Sequence, residues 1–461
     1  MKKYIAAALT GAVVLTGACS DNPASPSRDR VVAGSQQTLQ SLVTGITATD
    51  RGNFGGFYLW GSIMARDAIV PTVNESRYVT EFYVTPPDPS DFIGGSQWTG
   101  YYSLIRSVQN LLKDPSYTSL SAGDQNATAG FVRNLEAQSY IRLIQYRDSN
   151  GVVIQGPDPS KQDPIKQKGS ALAYTSALLD SAYTNLTAAS PTMPFTVPSG
   201  YKVDGDYTTT AGQILYNRGL KGKVEVMRLL NTQAPNAASA AAAITALNIA
   251  LAGAPSPMTQ AYLNMGPYYQ YNPSAPESAS NPLVSSSNLV TDNFVNSFQT
   301  GDIRALQVLP SNAVTVDGFT GRYRLAETDP KNTSLLTNPL PMLRNAELFL
   351  LRAQAEIATG DLVDATRDVN YVHTVEGGLA PYSTFASSAA AINAVLYEYR
   401  YSFIYQGAQH IAALRDYNMF NLAYVSQPGI PSPGANDALV DKLPITLAET
   451  NARGGNITPV P

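Results

Sequence analysis

The tyrosines of one short segment are the strongest candidates for chemistry in this sequence. Tyr268, Tyr269 and Tyr271 lie in GPYYQYN, inside a long stretch without helical periodicity. Tyrosine rings can stack on an apolar ligand surface while their hydroxyl groups bond to water or ligand. Because a loop offers little core to fill, we expect these three rings to lie on the surface and to bind a ligand.

A second group of candidates lies in and beside residues 70–96, a proline-rich segment with several aromatic residues. Loops of this length are usually functional or packed on themselves. Trp98 and Tyr101 begin the helix that follows and are candidates to face a ligand, although a place in the core is an equally good interpretation of Trp98. Asn74 could hydrogen-bond a ligand hydroxyl.

A hydrolytic enzyme is the main alternative, because a glycosidase needs two carboxylates placed across one bond. Four glutamates could be nominated for this role: Glu136, Glu347, Glu356 and Glu398. All four lie in predicted amphipathic helices, where a solvated face or an ion pair is the ordinary explanation. The two histidines, His373 and His410, lack the spacing of a zinc site, and no nucleophile elbow or phosphate-binding loop is present. We therefore predict no catalytic residue, no metal and no cofactor.

The composition excludes some partners. The chain has 461 residues, and 31 Lys and Arg against 35 Asp and Glu give a net charge of −4. A nucleic-acid surface needs a concentrated positive field, so this class of partner is not expected. Charged residues make up only 14%, and 27 tyrosines outnumber 13 phenylalanines. The surface should be polar but weakly charged, with rings suited to half-wet positions.

The N-terminus predicts export and a lipid anchor. A basic start and an apolar run from Ile5 to Leu15 lead through small residues to Cys19, the only cysteine. This run is too short to span a bilayer, and LTGAC resembles the lipobox of bacterial lipoproteins. A plain secretory signal with an incidental cysteine is the alternative. We predict a signal peptide over 1–18 and a lipidated Cys19 with a flexible tether over 19–35.

Helical hairpins are expected to position the candidate residues. In 341–376, apolar residues recur at three- and four-residue steps on both sides of Gly360 and Asp361, which predicts two helices joined by a tight turn. Gly360 can end the first helix in a left-handed conformation, and Asp361 can cap the second. The pattern is typical of a tetratricopeptide unit. Three further pairs are predicted over 124–186, 209–252 and 387–418.

Three helices are predicted before the hairpins: a first that starts with the apolar residues of 39–46, a second over 54–69 and a third over 96–112. Periodicity disappears over 254–340, which predicts a loop-rich lobe laid over the helical frame. We therefore expect a mostly α fold in which four tetratricopeptide-like hairpins form a scaffold. Because the insertions lie between the repeats, residues 36–461 should form a single domain.

Several degenerate motifs occur in order along the mature chain: QWTGYYSLIRSVQNLL (97–112), FVRNLEAQSYIRLIQYRDSNGVVI (131–154), PMLRNAELFLLRAQAEIATGD (341–361), LYEYRYSFIYQG (396–407) and LPITLAETNAR (443–453). In this order, behind a lipoprotein signal, they resemble the SusD/RagB family of outer-membrane nutrient-binding lipoproteins. The resemblance covers nearly the whole mature chain. It also implies roles for Asp67 and Arg77, which match an acidic and a basic ligand contact of family members.

The resemblance implies a role as well as a fold. The protein would capture an oligosaccharide, or sometimes a peptide, at the cell surface and would cover a TonB-dependent β-barrel transporter of the SusC type, which imports the ligand. No reaction is implied. A further interpretation is a pure scaffold that binds peptides or partner proteins on its concave face, which shares the fold and differs in its ligand.

Overall fold

The computed structural model describes residues 34–233, 235–274, 278–431 and 439–461. The predicted signal peptide, Cys19 and the tether up to residue 33 lie outside the described residues. Within the described part the chain is mainly helical with few strands, which confirms the mostly α fold. None of the helices in this part is both long enough and apolar enough to cross a bilayer.

Sixteen α-helices occur among the described residues: α1 Gln36–Met64, α2 Arg77–Tyr83, α3 Phe92–Leu111, α4 Pro115–Thr118, α5 Ala122–Arg147, α6 Lys168–Thr187, α7 Thr210–Leu229, α8 Ser239–Ala250, α9 Gln260–Asn264, α10 Asp292–Asn296, α11 Asn345–Thr359, α12 Leu362–Val375, α13 Ser388–Ser402, α14 Gln409–Asp416, α15 Leu422–Val425 and α16 Leu447–Ala452. Eight strands accompany them: β1 Ala68–Ile69, β2 Val152–Val153, β3 Ile165–Lys166, β4 Tyr268–Tyr269, β5 Leu289–Val290, β6 Val308–Val316, β7 Phe319–Leu325 and β8 Leu340–Pro341.

Four pairs of consecutive helices form the predicted scaffold: α5/α6, α7/α8, α11/α12 and α13/α14. Gly360 ends α11 in the left-handed region at φ 83°, and the Asp361 side chain accepts a hydrogen bond from the backbone N–H of Asp364 (3.1 Å). Ala353 and Ala365 are fully buried, as expected where two helices approach closely. The prediction of four helical hairpins is confirmed.

Helix α1 is continuous from Gln36 to Met64, so the prediction of one helix starting at 39–46 and a separate second helix over 54–69 is wrong. The glycines of α1 do not break the helix, and two of them, Gly55 and Gly61, allow close packing instead. A Cβ on Gly55 would lie 2.9 Å from the Cβ of Pro282, and one on Gly61 would lie 2.1 Å from the carbonyl oxygen of Gly407. These contacts favour glycine more strongly than the helix interior disfavours it.

The lobe 254–340 contains more regular structure than predicted. Strands β6 and β7 form an antiparallel hairpin whose turn is Asp317-Gly318, with φ 49° and 84°. Positive φ at both positions is what a two-residue type I′ turn requires. The hairpin belongs to an antiparallel sheet of order β1-β5-β7-β6, in which β1 follows α1 directly. This sheet joins the lobe to the end of the first helix.

Residues 70–96 are also partly helical. They contain α2, and α3 begins at Phe92 rather than at the predicted Ser96. The carboxylate of Asp91 accepts a hydrogen bond from the backbone N–H of Ile93 (2.8 Å), which explains the early start. Helix α3 then bends at Gln97, where φ is −80° and ψ is 22°.

Candidate functional site

A cleft of about 720 Å³ runs along the N-terminal half of α1, and we call it the central cleft. Three segments line it together with Thr337 and Met342: residues 40–51 of α1, the loop 196–201 and residues 268–272. It therefore includes all three tyrosines of GPYYQYN that the sequence singles out.

These tyrosines form the wall of the cleft rather than an exposed platform. Tyr268, Tyr269 and Tyr271 are 7%, 3% and 5% exposed, so the expectation that their rings lie on the surface is wrong. The reason is strand pairing, because Tyr268 and Tyr269 form β4 and are held against β8. The hydroxyl of Tyr268 also donates a hydrogen bond to the carbonyl of Asn264 (2.6 Å).

A buried ion pair supports this wall from behind. Asp50 is fully buried, and its carboxylate accepts hydrogen bonds from Arg142 Nη1 (2.7 Å) and from the hydroxyl of Tyr269. Arg142 Nη2 donates to the same tyrosine oxygen (2.9 Å). Burial raises the pKa of the Asp50 carboxyl, and the charge of Arg142 opposes that rise. The three groups fix the position of the Tyr269 ring.

Residues 268–272 are further tied to the other two segments of the cleft. Arg51 Nη1 donates to the carbonyl oxygen of Gln270 (3.0 Å), and the hydroxyl of Ser199 donates to the Gln270 side-chain oxygen (2.5 Å). A Cβ on Gly200 would lie 2.1 Å from the carbonyl oxygen of Tyr268, so the backbones touch here. The cleft is therefore preformed by contacts among its own walls.

Two tyrosine hydroxyls in the wall have no hydrogen-bond partner among the described residues. They belong to Tyr201, which is 1% exposed, and to Tyr271. Leaving a buried polar group unpaired costs about 1–3 kcal/mol. Because both oxygens have almost no accessible surface, they belong to the packed wall and do not face the open cleft.

The exposed rim of the central cleft carries amide and hydroxyl side chains: Thr44, Thr196, Ser199, Gln270, Asn272 and Thr337. Hydroxyls and amides both donate and accept hydrogen bonds. With aromatic rings behind them, they suit a ligand that has many hydroxyl groups and apolar ring edges.

Asp67 does not line the central cleft. It is 1% exposed, and its two carboxylate oxygens lie 2.8 Å from Arg400 Nε and 2.5 Å from His410 Nδ1. Arg400 also donates to the side-chain oxygen of Asn293 (2.6 Å). Since these partners come from α13, α14 and α10, the environment of Asp67 is that of a structural carboxylate.

Asn74 and Arg77 are the exposed members of the predicted set. The guanidinium of Arg77 donates to both carboxylate oxygens of Glu75 (2.7 and 2.6 Å) and lies 4.7 Å from the Phe92 ring centroid. Neither Asn74 nor Arg77 lines the central cleft, so the structure does not bring them together with the tyrosines.

Glu81, one turn further along α2, gives this region a pH-dependent stability. Burial and a hydrogen bond with Asp91 raise the pKa of its carboxyl to about 7, whereas Arg77 lowers the pKa of Glu75. A folded-state pKa above the ordinary 4.5 means that the folded protein holds a proton that the unfolded chain releases. The contribution of Glu81 to stability therefore falls as pH rises from 4.5 to about 7.

Replacing Glu81 with glutamine should remove this pH dependence, because the amide side chain has nearly the shape of the protonated carboxyl and does not titrate. We expect Tm of E81Q relative to the wild type to be higher at pH 8 than at pH 5, measured by thermal melts across that range. The matched control E75Q should show little change with pH over this range, because the pKa of Glu75 is lowered from 4.5 and its titration is nearly complete at pH 5. A Tm difference between E81Q and the wild type that does not change with pH would contradict the protonation of Glu81 in the folded protein.

Trp98 and Tyr101 lie on α3 and are 5% and 0% exposed. Trp98 borders a separate cleft of about 630 Å³, packs against Tyr102 with ring centroids 4.7 Å apart, and has the Arg147 guanidinium 5.4 Å from its ring. This burial agrees with the core interpretation of Trp98. The Tyr101 ring lies 5.8 Å from the Arg142 guanidinium, beside the ion pair that supports the central cleft.

The glutamates considered for catalysis face protein partners. Glu347 lies 2.8 Å from Lys223, and Glu398 lies 2.7 Å from both Arg304 and His373. Glu356 lies 3.7 Å from Arg352. Burial raises the pKa of Glu136 to about 7. The contacts of Glu347, Glu356 and Glu398 fit the expected role in ion pairs within the scaffold, whereas Glu136 makes no ion pair with the described residues.

The sequence-based prediction missed the α1 side of the cleft. Four polar residues recur there at steps of four, three and four positions: Gln40, Thr44, Thr47 and Arg51. That spacing places them on one face of a helix, opposite a buried apolar face. This polar stripe is the signal that could have identified this side of the cleft, because a prediction based on aromatic side chains alone does not include it. Gln270 and Asn272, which lie among the predicted tyrosines, were missed for the same reason.

Fold and cleft together define a helical-repeat scaffold that carries a polar, tyrosine-walled binding cleft. More particularly, the chain has the SusD-like fold, as comparison with solved structures shows. No protein-family model matches the sequence, and no curated protein matches it by sequence.

Three solved structures illustrate the likeness. A SusD-like carbohydrate binding protein from Bacteroides vulgatus superposes with TM-score 0.66 and 14% identity over 93% of this chain and 99% of its own. Surface glycan-binding protein A from Bacteroides uniformis gives 0.66 and 16%, over 91% and 98%. NanU from B. fragilis gives 0.60 and 14%, over 91% and 95%.

Proposed function

We propose that this protein binds oligosaccharides in the central cleft and catalyses no reaction on them. The cleft itself carries the proposal. Its wall offers tyrosine ring edges, and its rim offers amides and hydroxyls in a preformed arrangement. A sugar presents apolar C–H faces and hydroxyl groups that match both surfaces.

The names of two structural neighbours support a glycan as the ligand, because one is a carbohydrate binding protein and the other a surface glycan-binding protein. At identities of 14% and 16%, these names support only the class of ligand. The residues that would bind it are proposed from the cleft.

We also propose where in the cell the protein is located and how it is anchored there. Residues 1–18 are a signal peptide, Cys19 carries the lipid, residues 19–35 are a tether and residues 36–461 form one domain on the outer face of the outer membrane. There the protein passes its ligand to a SusC-like TonB-dependent transporter. The lipobox-like sequence and the motif order support this, and co-purification of such a barrel from outer membranes tests it.

Filling the cleft tests the glycan site. Thr44 is exposed on the rim, so T44W places a large ring in the cleft without removing core packing. We expect its affinity for the bound oligosaccharide, measured by isothermal titration calorimetry, to fall at least about tenfold, which corresponds to about 1.4 kcal/mol. The matched control is S41W, since Ser41 is exposed on the same helix but does not line the cleft.

Equal affinities of T44W and S41W would place the glycan elsewhere. Binding of peptides but of no glycan would favour the helical-repeat scaffold interpretation, and release of reducing ends would favour a hydrolase.

A further inference from the structure

We propose that the central cleft selects uncharged oligosaccharides over acidic and amino-substituted ones. This inference rests on the proposed function and specifies its substrate class. Only two charged side chains line the cleft within the described ranges, Asp50 and Arg51. A charged sugar entering a cleft of this kind needs an opposite charge that is accessible and properly oriented.

Asp50 is not accessible to an ammonium group. It is fully buried, and its carboxylate is already engaged by Arg142 and by the Tyr269 hydroxyl. An amino sugar would therefore lose hydration of its charge without gaining an ion pair.

Arg51 acts as a positioning residue rather than as a receptor for a carboxylate. Its Nη1 donates to the carbonyl oxygen of Gln270, which links α1 to residues 268–272. Two parallel hydrogen bonds from a guanidinium give the strongest binding of a carboxylate. The Gln270 carbonyl occupies the Nη1 side of the guanidinium, and Arg51 is engaged by a further contact as well, so its charge is not free for a carboxylate.

The remaining rim groups match neutral hydroxyls. The side-chain oxygen of Gln270 accepts from Ser199, which orients the amide nitrogen of Gln270 as a donor for ligand oxygens. Asn272 and Thr337, also exposed on the rim, add an amide and a hydroxyl. A sugar hydroxyl both donates and accepts, so these groups can satisfy it without any charge.

Matched pairs of glycans test the selection on the full chain. Oligogalacturonides are compared with their methyl esters, and chitosan oligomers with fully N-acetylated ones, alongside gluco-, xylo- and manno-oligosaccharides. We expect the tight binders to be neutral, and the neutral member of a pair to bind at least about tenfold more tightly than its charged counterpart. Affinity for a neutral ligand should change less than about twofold between about 0.02 M and about 0.5 M NaCl.

Arg51 provides the variant test. If Arg51 only positions Gln270, R51K and R51Q weaken binding of a neutral ligand by similar factors, within about threefold of each other. Preference for a charged member of a pair, or a loss of affinity in R51Q that is larger for the acidic member of a pair than for the neutral one, would overturn the selection and leave glycan binding intact. Failure of every glycan to bind would overturn both proposals.

Discussion

Replacing Arg142 with methionine should lower the free energy of unfolding by about 3–5 kcal/mol, because it leaves the carboxylate of Asp50 buried without its counter-charge. The side chains of Arg142 and Asp50 are 3% and 1% exposed, so water cannot take the place of the guanidinium. Methionine keeps much of the volume, which limits the contribution of a cavity. Urea unfolding followed by circular dichroism measures the effect.

Two variants separate the lost charge from lost packing. Tyr269→Phe keeps the ring, removes the hydroxyl that bonds to Asp50 and Arg142, and should cost about 1–2 kcal/mol. The double variant D50N/R142M removes both charges and should be more stable than R142M alone, since it leaves no unpaired ion. A loss below about 1 kcal/mol in R142M would show that Asp50 takes up a proton or another partner instead.

The helical scaffold could be predicted because its signals are local. In α11 and α12 the apolar steps, the left-handed Gly360 and the capping Asp361 all lie within one short stretch, and the structure has each of them. The hairpin β6–β7 was equally predictable, since VTVDGFT places an Asp-Gly turn between alternating strands. The prediction for 254–340 rested on the absence of helical periodicity and did not use this second local signal.

Features that depend on distant partners could not be predicted in the same way. The glycines of α1 resemble a break until Pro282 and Gly407 are placed against them. The tyrosines of GPYYQYN resemble exposed loop residues until β4 pairs with β8, which follows about seventy residues later. Composition identified the segment that belongs to the cleft, while only the tertiary contacts decided which of its atoms face inward.

Asp67 was predicted from the family resemblance to contact a ligand, and its surroundings lead to a different expectation. Asp67→Asn should destabilise the protein by about 3 kcal/mol, because the side chain of Arg400 is only 11% exposed and would lose its carboxylate. The amide would also direct one N–H group toward a guanidinium or imidazole partner. Urea unfolding measures this loss, and calorimetry on the folded variant measures its glycan affinity, which should stay within about twofold of the wild type.

An exposed ion pair provides the control for Asp67. Asp364 and Arg367 lie 2.7 Å apart on α12 and are 42% and 43% exposed, so D364N should change stability by at most about 1 kcal/mol. The two outcomes for D67N are distinct. A large loss of stability with unchanged affinity makes Asp67 the link that holds α13 and α14 against the end of α1. Unchanged stability with lost affinity would instead restore its role as a ligand contact and would place the glycan outside the central cleft.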